Sequence, residues 1–448
     1  MSNYQLAPFK PWFNVKDFGA RGNAVTDDAP AISRAIVAAL FVGGGVLFFP
    51  PGIYAIITPL IMPINIQGVS FLGTCSINTV LRGFPTATNT LRFIGATSPA
   101  AGVCFIDSLT VTASGATGGI PNRALELTNA GFVNVKNCNL TGGTGIYLKG
   151  AAFISVENCQ IYGGVQAADI GDTGGGVFTG TGPAVFKSCL FGQVPTVAAL
   201  LLRENWFSLT FEQCMFQASG ALTTIQIDGQ YTSNVTFINC HGESNFDPTN
   251  GGQDFLIGNT AAPGLVRIMG GQFWGHGNGV NYRRYWLNAI RCAALEIHGA
   301  LASALGNPHG YEGGMIRLGA GYPALGTRLT VMDCNPTDII GPKYSDAAGR
   351  LWAAFAGDII ERRVTVAATA AWNPGAIANA SASATAVALL GAAFGDPAQA
   401  SFSVTIDGLI AGAAVGAADS VNVCLYNLTG APVNPGALNV TATIMKTL

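Results

Sequence analysis

Five six-residue segments share one frame: Val133–Cys138 (VNVKNC), Ile154–Cys159 (ISVENC), Ala184–Cys189 (AVFKSC), Leu209–Cys214 (LTFEQC) and Val235–Cys240 (VTFINC). Each reads apolar, any residue, apolar, any residue, small polar, Cys. Alternation puts the two apolar residues on one face of a strand. The small polar residue suits a tight bend in the left-handed region, and the thiol then opens the next inward face. The frame recurs without the thiol at Val266–Gly271 and Leu295–Ala300, regains it at Leu329–Cys334, and fits more loosely at Val69–Thr74 and Val103–Ser108. The tagged positions from Cys138 to Cys334 lie 21 to 34 residues apart. Strand-borne repeats of that length stack as a solenoid, and no 3.6-residue period argues for helices. At ~4.8 Å per stacked strand, roughly nine coils give a rod core of about 40 Å. The cysteines are expected as a column of buried, reduced thiols. Metal binding and disulfides compete with that reading, but no Cys-x-x-Cys occurs.

Composition narrows the function. Only 10% of the 448 residues are charged, the formal net charge is −2, and 49% are hydrophobic. A chain so poor in cations is not built to neutralise phosphate, so no nucleic-acid partner is expected. The mean hydropathy of +0.38 would suit a membrane protein, yet no uninterrupted apolar run approaches ~18 residues, so no membrane insertion is expected. The 59 glycines have no period of three, which excludes collagen, and the apolar content excludes disorder. The first residues, MSNYQLAPFKPWF, lack the apolar core of a secretion signal.

Residues 13–54 read as strand, polar loop, helix, glycine stop and strand. Asp27 and Asp28 fall at the helix start, Pro30 in its first turn, and Ile32, Ile36, Val37 and Leu40 supply an apolar face. Gly43–Gly45 ends the helix before Val46–Phe49 and Pro50-Pro51-Gly52. Such a helix can cover the open end of a solenoid. The residues Val15, Asp17-Phe-Gly-Ala20, Gly22, Thr26-Asp-Asp28, Ala31-Ile32, Ala35-Ile36, the glycine trio, Phe49-Pro-Pro-Gly52 and Tyr54 resemble the opening of pectate-lyase-like, right-handed parallel β-helix proteins. Asn23-Ala24 replaces the usual Asp-Gly. The resemblance covers about a tenth of the chain and implies the fold; polygalacturonases, lyases, epimerases and phage tailspikes all share it. Asp27 and Asp28 are read as structural.

From Val364 to Met445 the only charges are Asp396, Asp407 and Asp419. Short alternating runs such as Ser401–Ile406 and Ser420–Tyr426 predict an antiparallel β-sandwich. A domain so poor in charge is expected to associate with copies of itself. The run Asp419–Gly430 followed by Ala437–Thr443 is similar to the C-terminal β-domain of phage and prophage tail proteins. The resemblance implies a bacteriophage tailspike located in the virion tail and a homotrimer of β-helices. The expected organisation is a virion-anchoring segment at 1–12, binding a tail or baseplate protein, a parallel β-helix at 13–340, a linker at 341–358, and a sandwich at 359–448 for trimerisation or receptor binding.

Outward positions on consecutive coils form columns, so distant residues become neighbours. One frame aligns Lys149, Asp172, Arg203 and Asp228 with alternating sign. That pattern is either a surface ladder, worth ~0–1 kcal/mol per exposed pair, or a sugar groove with Asp172 or Asp228 as acid or base. The other dense region holds His241, Glu243, Asp247, Asp254, Trp274, His276, Arg283, Arg284 and Trp286. Sugar sites want flat aromatics plus two carboxylates, ~5–5.5 Å apart for retention or ~6.5–9.5 Å for inversion. Glu243, Asp247 and Asp254 are the leading catalytic candidates, followed by Asp228 and by Glu204 beside Trp206. Glu243 and Trp274 are expected on adjoining coils. Trp274, His276, Arg283, Arg284 and Trp286 are the candidate substrate contacts, with an ordinary surface or subunit boundary as the competing reading.

No closely spaced Asp cluster or His spacing suggests a metal site, and no cofactor is expected; a lyase therefore ranks below a hydrolase. The leading expectation is a tailspike that binds host surface polysaccharide (O-antigen or capsule), with hydrolysis as its chemistry if it is an enzyme. A non-enzymatic adhesin or structural tail protein, and a bacterial polysaccharide hydrolase or lyase, are the alternatives.

Overall fold

A computed structural model describes residues 11–447 except 64–67, 85–88, 96–99, 115, 118–119, 172–180, 194–196, 204–205, 219–222, 230–232, 244–251, 275–284, 304–313, 319–327, 333–334, 338–343, 347–362 and 395. The chain divides into two compact units, one of Met1–Thr327 with Val331–Asp358 and one of Ile359–Leu448 with Arg328–Thr330.

The larger unit is a right-handed parallel β-helix of three ladders. The first ladder is a 12-stranded parallel sheet running from Trp12–Asn14 to Arg328–Met332 and includes every described thiol-tagged strand. Twelve strands at ~4.8 Å span about 53 Å, longer than the nine coils read from the sequence. The extra coils come from the strands Trp12–Asn14 and Gly45–Phe49, which precede the first frame at Val69. The second and third ladders together form a 21-stranded sheet, because Asn139–Lys149 and Gln160–Ile170 run through both.

The corner between first and second ladders explains the repeat. Asn137, Asn158, Ser188, Gln213 and Asn239, each preceding a cysteine, have φ of 51°, 54°, 52°, 53° and 50°. The left-handed residue turns the chain in one step and aims the thiol inward. Cys138, Cys159, Cys189, Cys214 and Cys240 are at most 2% exposed, and the first-ladder register places them in one file. Each Sγ–H reaches a carbonyl of the preceding coil, such as Phe211 O from Cys240 at 3.3 Å. All nine described cysteines are free thiols. Burial pushes the Cys214 thiol above its ordinary range, and that of Cys292 up to about 12. Where the frame loses its thiol, Gly270 supplies the turn at φ 65°, and a Cβ on Gly271 would strike Cys240 O.

Beside the thiols runs an aromatic file. Phe186, Phe211 and Phe237 stack at 4.9 and 5.1 Å, and Phe191 and Phe216 stack at 5.0 Å next to them. Register forces this: Phe186, Phe211 and Phe237 are paired neighbours in the first ladder.

Helix α1 (Ala29–Phe41) packs on the first coils, burying Ala29, Ala31, Ile32, Ala35, Ile36 and Ala39. Val37, expected on the buried face, is 65% exposed, because small alanines complete that face. Asp28 is fully buried and accepts from Arg21 N (2.6 Å) and Gly22 N (3.0 Å), while Asp27 Oδ1 accepts from Ala29 N (3.1 Å). Both carboxylates hold backbone. Met1–Lys10 of the expected anchor lie outside the described residues; Trp12 already pairs in the first ladder with Val46. Tyr344–Asp346, within the expected linker, pairs with the third-ladder strand Gly314–Leu318.

The smaller unit is an antiparallel sandwich of two three-stranded sheets. Arg363–Trp372, Leu438–Thr447 and Ala398–Phe402 form one; Ser381–Ala388, Ser420–Asn427 and Leu409–Ala417 form the other. Val387, Val421, Val423, Val440 and Ile444 fill its core.

Candidate functional site

Glu243 and Trp274 stand on adjoining coils. His241 pairs with Gln272 and Gly242 with Phe273 in the second ladder, so the next outward position brings Glu243 beside Trp274. Glu243 Oε1 accepts from Gln217 Nε2 at 3.0 Å, and Oε2 lies 3.2 Å from His241 Nε2. The imidazole meets Trp274 edge-on, with centroids 4.6 Å apart. Side chains of Glu243 and His241 are 29% and 25% exposed, so a ligand can reach the carboxylate. Acceptor, amide, imidazole and indole share one open patch.

The other sequence-chosen residues divide in two. Glu204, Asp247, His276, Arg283 and Arg284 lie outside the described residues. Asp228, Asp254 and Trp286 are buried. Asp228, 3% exposed, accepts from Thr260 N at 2.7 Å and Gln226 Nε2 at 2.9 Å, so it fastens a corner to the next coil. Asp254 is fully buried and accepts from Thr224 Oγ1 at 3.1 Å. Trp286, also fully buried, packs against Phe255 (5.9 Å) and Phe273 (5.7 Å) as a core residue. The cause lies in how third-ladder strands begin. Burial there is consecutive: three residues in a row at Thr223–Ile225 and Gln253–Phe255, and all five of Ala198–Leu202 and Tyr285–Ala289. Simple alternation fails there and turns Asp254 and Trp286 inward.

The expected charge column holds at Lys149, Arg203 and Asp228 and slips by one residue at its second place. Register aligns Lys149, Gly171, Arg203 and Asp228, whereas Asp172 lies outside the described residues. An alternating ladder sits on the outer face of the first ladder. There Lys136–Glu157 (2.7 Å) and Lys187–Glu212 (3.1 Å) pair along successive coils. Hydrogen bonding to Glu157 and its charge raise the Lys136 pKa and lower that of Glu157 in return.

A cluster that sequence spacing missed occupies the outer face of the third ladder. Glu126, Tyr147 and Asp169 align on three consecutive coils. Glu126 Oε2 accepts from Arg92 Nε at 2.8 Å and Asn89 Nδ2 at 2.5 Å, and Oε1 accepts from Thr128 Oγ1 at 3.0 Å. The Arg123 guanidinium lies 3.4 Å over the Tyr147 ring and 3.5 Å from Glu126 Oε1. Asp169 takes both arms of Arg203, Nε at 2.6 Å and Nη2 at 2.9 Å, and Gln166 Nε2 at 3.0 Å. Each carboxylate side chain is 5% exposed, whereas Arg92, Arg123 and Arg203 are 29%, 23% and 34% exposed. The anions form an underlayer that aims the guanidinium groups; the face offered to solvent is cationic. The sequence signal was faint, since Arg92, Glu126 and Asp169 fall in three different coils.

Among the described residues no group of three or more His, Cys, Asp or Glu is placed to hold a metal ion. No described helix is long and apolar enough to cross a membrane.

Comparison with known proteins agrees with this architecture. Over 44 residues, a tenth of the chain, the sequence is 54% identical to mannuronan C5-epimerase AlgE6 of Azotobacter vinelandii, and the match spans only 5% of that enzyme. The structure is similar to that of ORF18 of Geobacillus virus E2, with a TM-score of 0.51 and 14% identity over 98% of this chain and 76% of the viral one. PfbA, a surface adhesin of Streptococcus pneumoniae, gives a TM-score of 0.50 at 13% identity, covering 79% of this chain and 98% of its own. The sequence model of the rhamnogalacturonase A/epimerase, pectate lyase-like family matches residues 12–241. With a matching model over half its length and the parallel coils that such a sequence requires, the chain belongs to the rhamnogalacturonase A/epimerase, pectate lyase-like family.

Proposed function

We propose that this protein is a bacteriophage tailspike that binds a polysaccharide of the host surface along the outer face of its β-helix. The observation that carries the reading is the third-ladder strip in which buried Glu126 and Asp169 orient the half-buried Arg92, Arg123 and Arg203. With Lys149, and with Asp228 in the row of Arg203, the described strip holds four cations against three carboxylates, on a chain whose formal net charge is −2. Coils at ~4.8 Å offer donors at a spacing close to that of successive sugars in an extended chain. Forked guanidinium groups held in place suit the carboxylates or other oxyanions of an acidic glycan. The Glu243–His241–Trp274 patch adds an aromatic edge and an acceptor for sugar hydroxyls.

Binding is better supported than cleavage. Glycoside hydrolysis needs two carboxylates across the bond, whereas the described partners of the Glu243 carboxylate are an amide and an imidazole. The assembly in this reading is a homotrimer in the virion tail.

The test is titration of the purified protein with the host's acidic capsule or O-antigen, with dextran as the neutral control. Binding to the acidic polymer that weakens in high salt is expected. Arg92→Lys and Arg203→Lys keep the charge but lose the fork, and should each weaken binding about tenfold when measured well below the melting transition, which the loosened pairs with Glu126 and Asp169 should lower. Equal affinity for dextran, or unchanged affinity in both variants, would refute the strip as the site. New reducing ends that vanish in Glu243→Gln would convert the reading to an enzyme. Light scattering that gives a monomer would remove the trimer.

A further inference from the structure

The sandwich unit carries a pocket of ≈ 420 Å³ lined by Ala371, Trp372, Asn373, Ser403, Leu438 and Asn439, with Ala437 at its edge. We infer that this pocket is a second glycan site, one that takes a neutral sugar unit. Its floor and rim come from paired strands: Trp372 lies opposite Leu438 and Ala371 opposite Asn439 in the Arg363–Trp372/Leu438–Thr447 ladder. Ser403 is tied in from the side, its N–H donating to Asn439 O at 2.9 Å while its Oγ accepts from Asn439 N at 2.8 Å. The indole is held from behind by the sandwich core, packing with Phe402 and Ile406 against Leu409 and Leu425. Asn373, Ser403 and Asn439 are exposed at the rim.

The chemistry of that lining selects the ligand. The half-buried indole is the aromatic part of the lining, and beside it stand the carboxamides of Asn373 and Asn439 and the Ser403 hydroxyl, with Asn373 Oδ1 accepting from Gly375 N at 3.3 Å and Ser403 Oγ from Asn439 N. No lining residue carries a charge. From Val364 to Met445 the sequence has no Lys, Arg or Glu, and its three aspartates are Asp396, Asp407 and Asp419. Asp419 and Asp396 spend carboxylate oxygens on the backbone N–H of Gly391 and Ala393. A charged ligand would enter this pocket without a counter-charge and lose its hydration for nothing. A neutral pyranose has one apolar ring face and a rim of hydroxyls, which matches the lining, and the volume lies in the range of small-ligand sites. Building the site on paired strands means that little ordering is needed on binding. The anion-directed strip of the β-helix and this pocket thus read chemically different parts of a glycan, and neither site depends on the other.

The experiment titrates the full chain with galactose, glucose, rhamnose, N-acetylglucosamine and, as the charged control, galacturonate, read by saturation-transfer NMR. At least one neutral sugar should bind in the millimolar range or tighter, with galacturonate at least tenfold weaker. Asn439→Ala and Asn373→Ala change exposed side chains, leave the backbone bonds of Asn439 in place, and should each weaken binding about tenfold with unchanged circular dichroism. Trp372→Phe, which keeps an aromatic filler in the core, should weaken it further. No transfer from any neutral sugar, or equal transfer in all three variants, overturns the inference. Loss of polysaccharide binding in the arginine variants alongside intact neutral-sugar binding would show that the two sites are separate.

Discussion

Asp228 lets a catalytic role be separated from a structural one. Its carboxylate bridges coils: Oδ1 accepts from Thr260 N at 2.7 Å and Oδ2 from Gln226 Nε2 at 2.9 Å, at a site 3% exposed. Bonds to a charged acceptor contribute about 1.5–3 kcal/mol each. Asp228→Ala loses two such bonds, while the N–H of the exposed Thr260 can turn to water, so the β-helix should lose about 3 kcal/mol, the low end for the pair. Asp228→Asn keeps one oxygen for Thr260 but makes that bond neutral, about half as strong, and turns an amide toward the Gln226 amide. A loss of about 2 kcal/mol is expected. The assay is urea denaturation followed by tryptophan fluorescence, run beside polysaccharide binding on the folded protein. Stability should fall in the order wild type, Asn, Ala, while affinity measured below the transition stays at the wild-type value. Asp228→Asn with full stability and abolished binding or turnover would refute the structural assignment and return Asp228 to the site.

Phe211, stacked between Phe186 and Phe237 and edge-on to Phe191 and Phe216, should cost about 4 kcal/mol as Phe211→Ala; a loss under about 1 kcal/mol in urea denaturation would mean that the rings do not form one file. The Cys292 thiol is pushed by burial up to about 12, whereas an unfolded thiol ionises near ~8.5. Between those values the unfolded state sheds its proton first, so this contribution is intact below about pH 8.5 and is lost as pH rises toward 12. Urea midpoints at mildly and strongly alkaline pH should therefore fall less steeply for Cys292→Ala than for wild type, and identical slopes would contradict the burial. Arg203→Ala strands the buried Asp169 carboxylate and should destabilise by about 3–5 kcal/mol; adding Asp169→Ala should recover part of that loss, and strictly additive effects in the double-mutant cycle would show the pair to be uncoupled.

The amino-acid sequence by itself determined the coil and its corners. Alternation over four residues, a left-handed Asn and a small inward thiol are local rules, each satisfied within a hexapeptide such as Val133–Cys138, and repetition makes them additive. The capping helix and the separate charge-poor sandwich were legible for the same reason, as was the adjacency of Glu243 and Trp274, which lie a fixed count beyond consecutive corners.

Tertiary structure alone decided which side chains meet on the third ladder. Loops of unequal length precede those strands, so counting from a corner no longer fixes the register: Arg203 stands beside Gly171 in its row and pairs with Asp169. Unbroken burial along Gln253–Phe255 and Tyr285–Ala289 took in Asp254 and Trp286, against the alternation that holds elsewhere. A pattern of period two carries no information where two neighbours face the same way. The Glu126–Tyr147–Asp169 strip is visible only once the coils are stacked, because its members are neighbours through hydrogen bonds between strands and not through the chain.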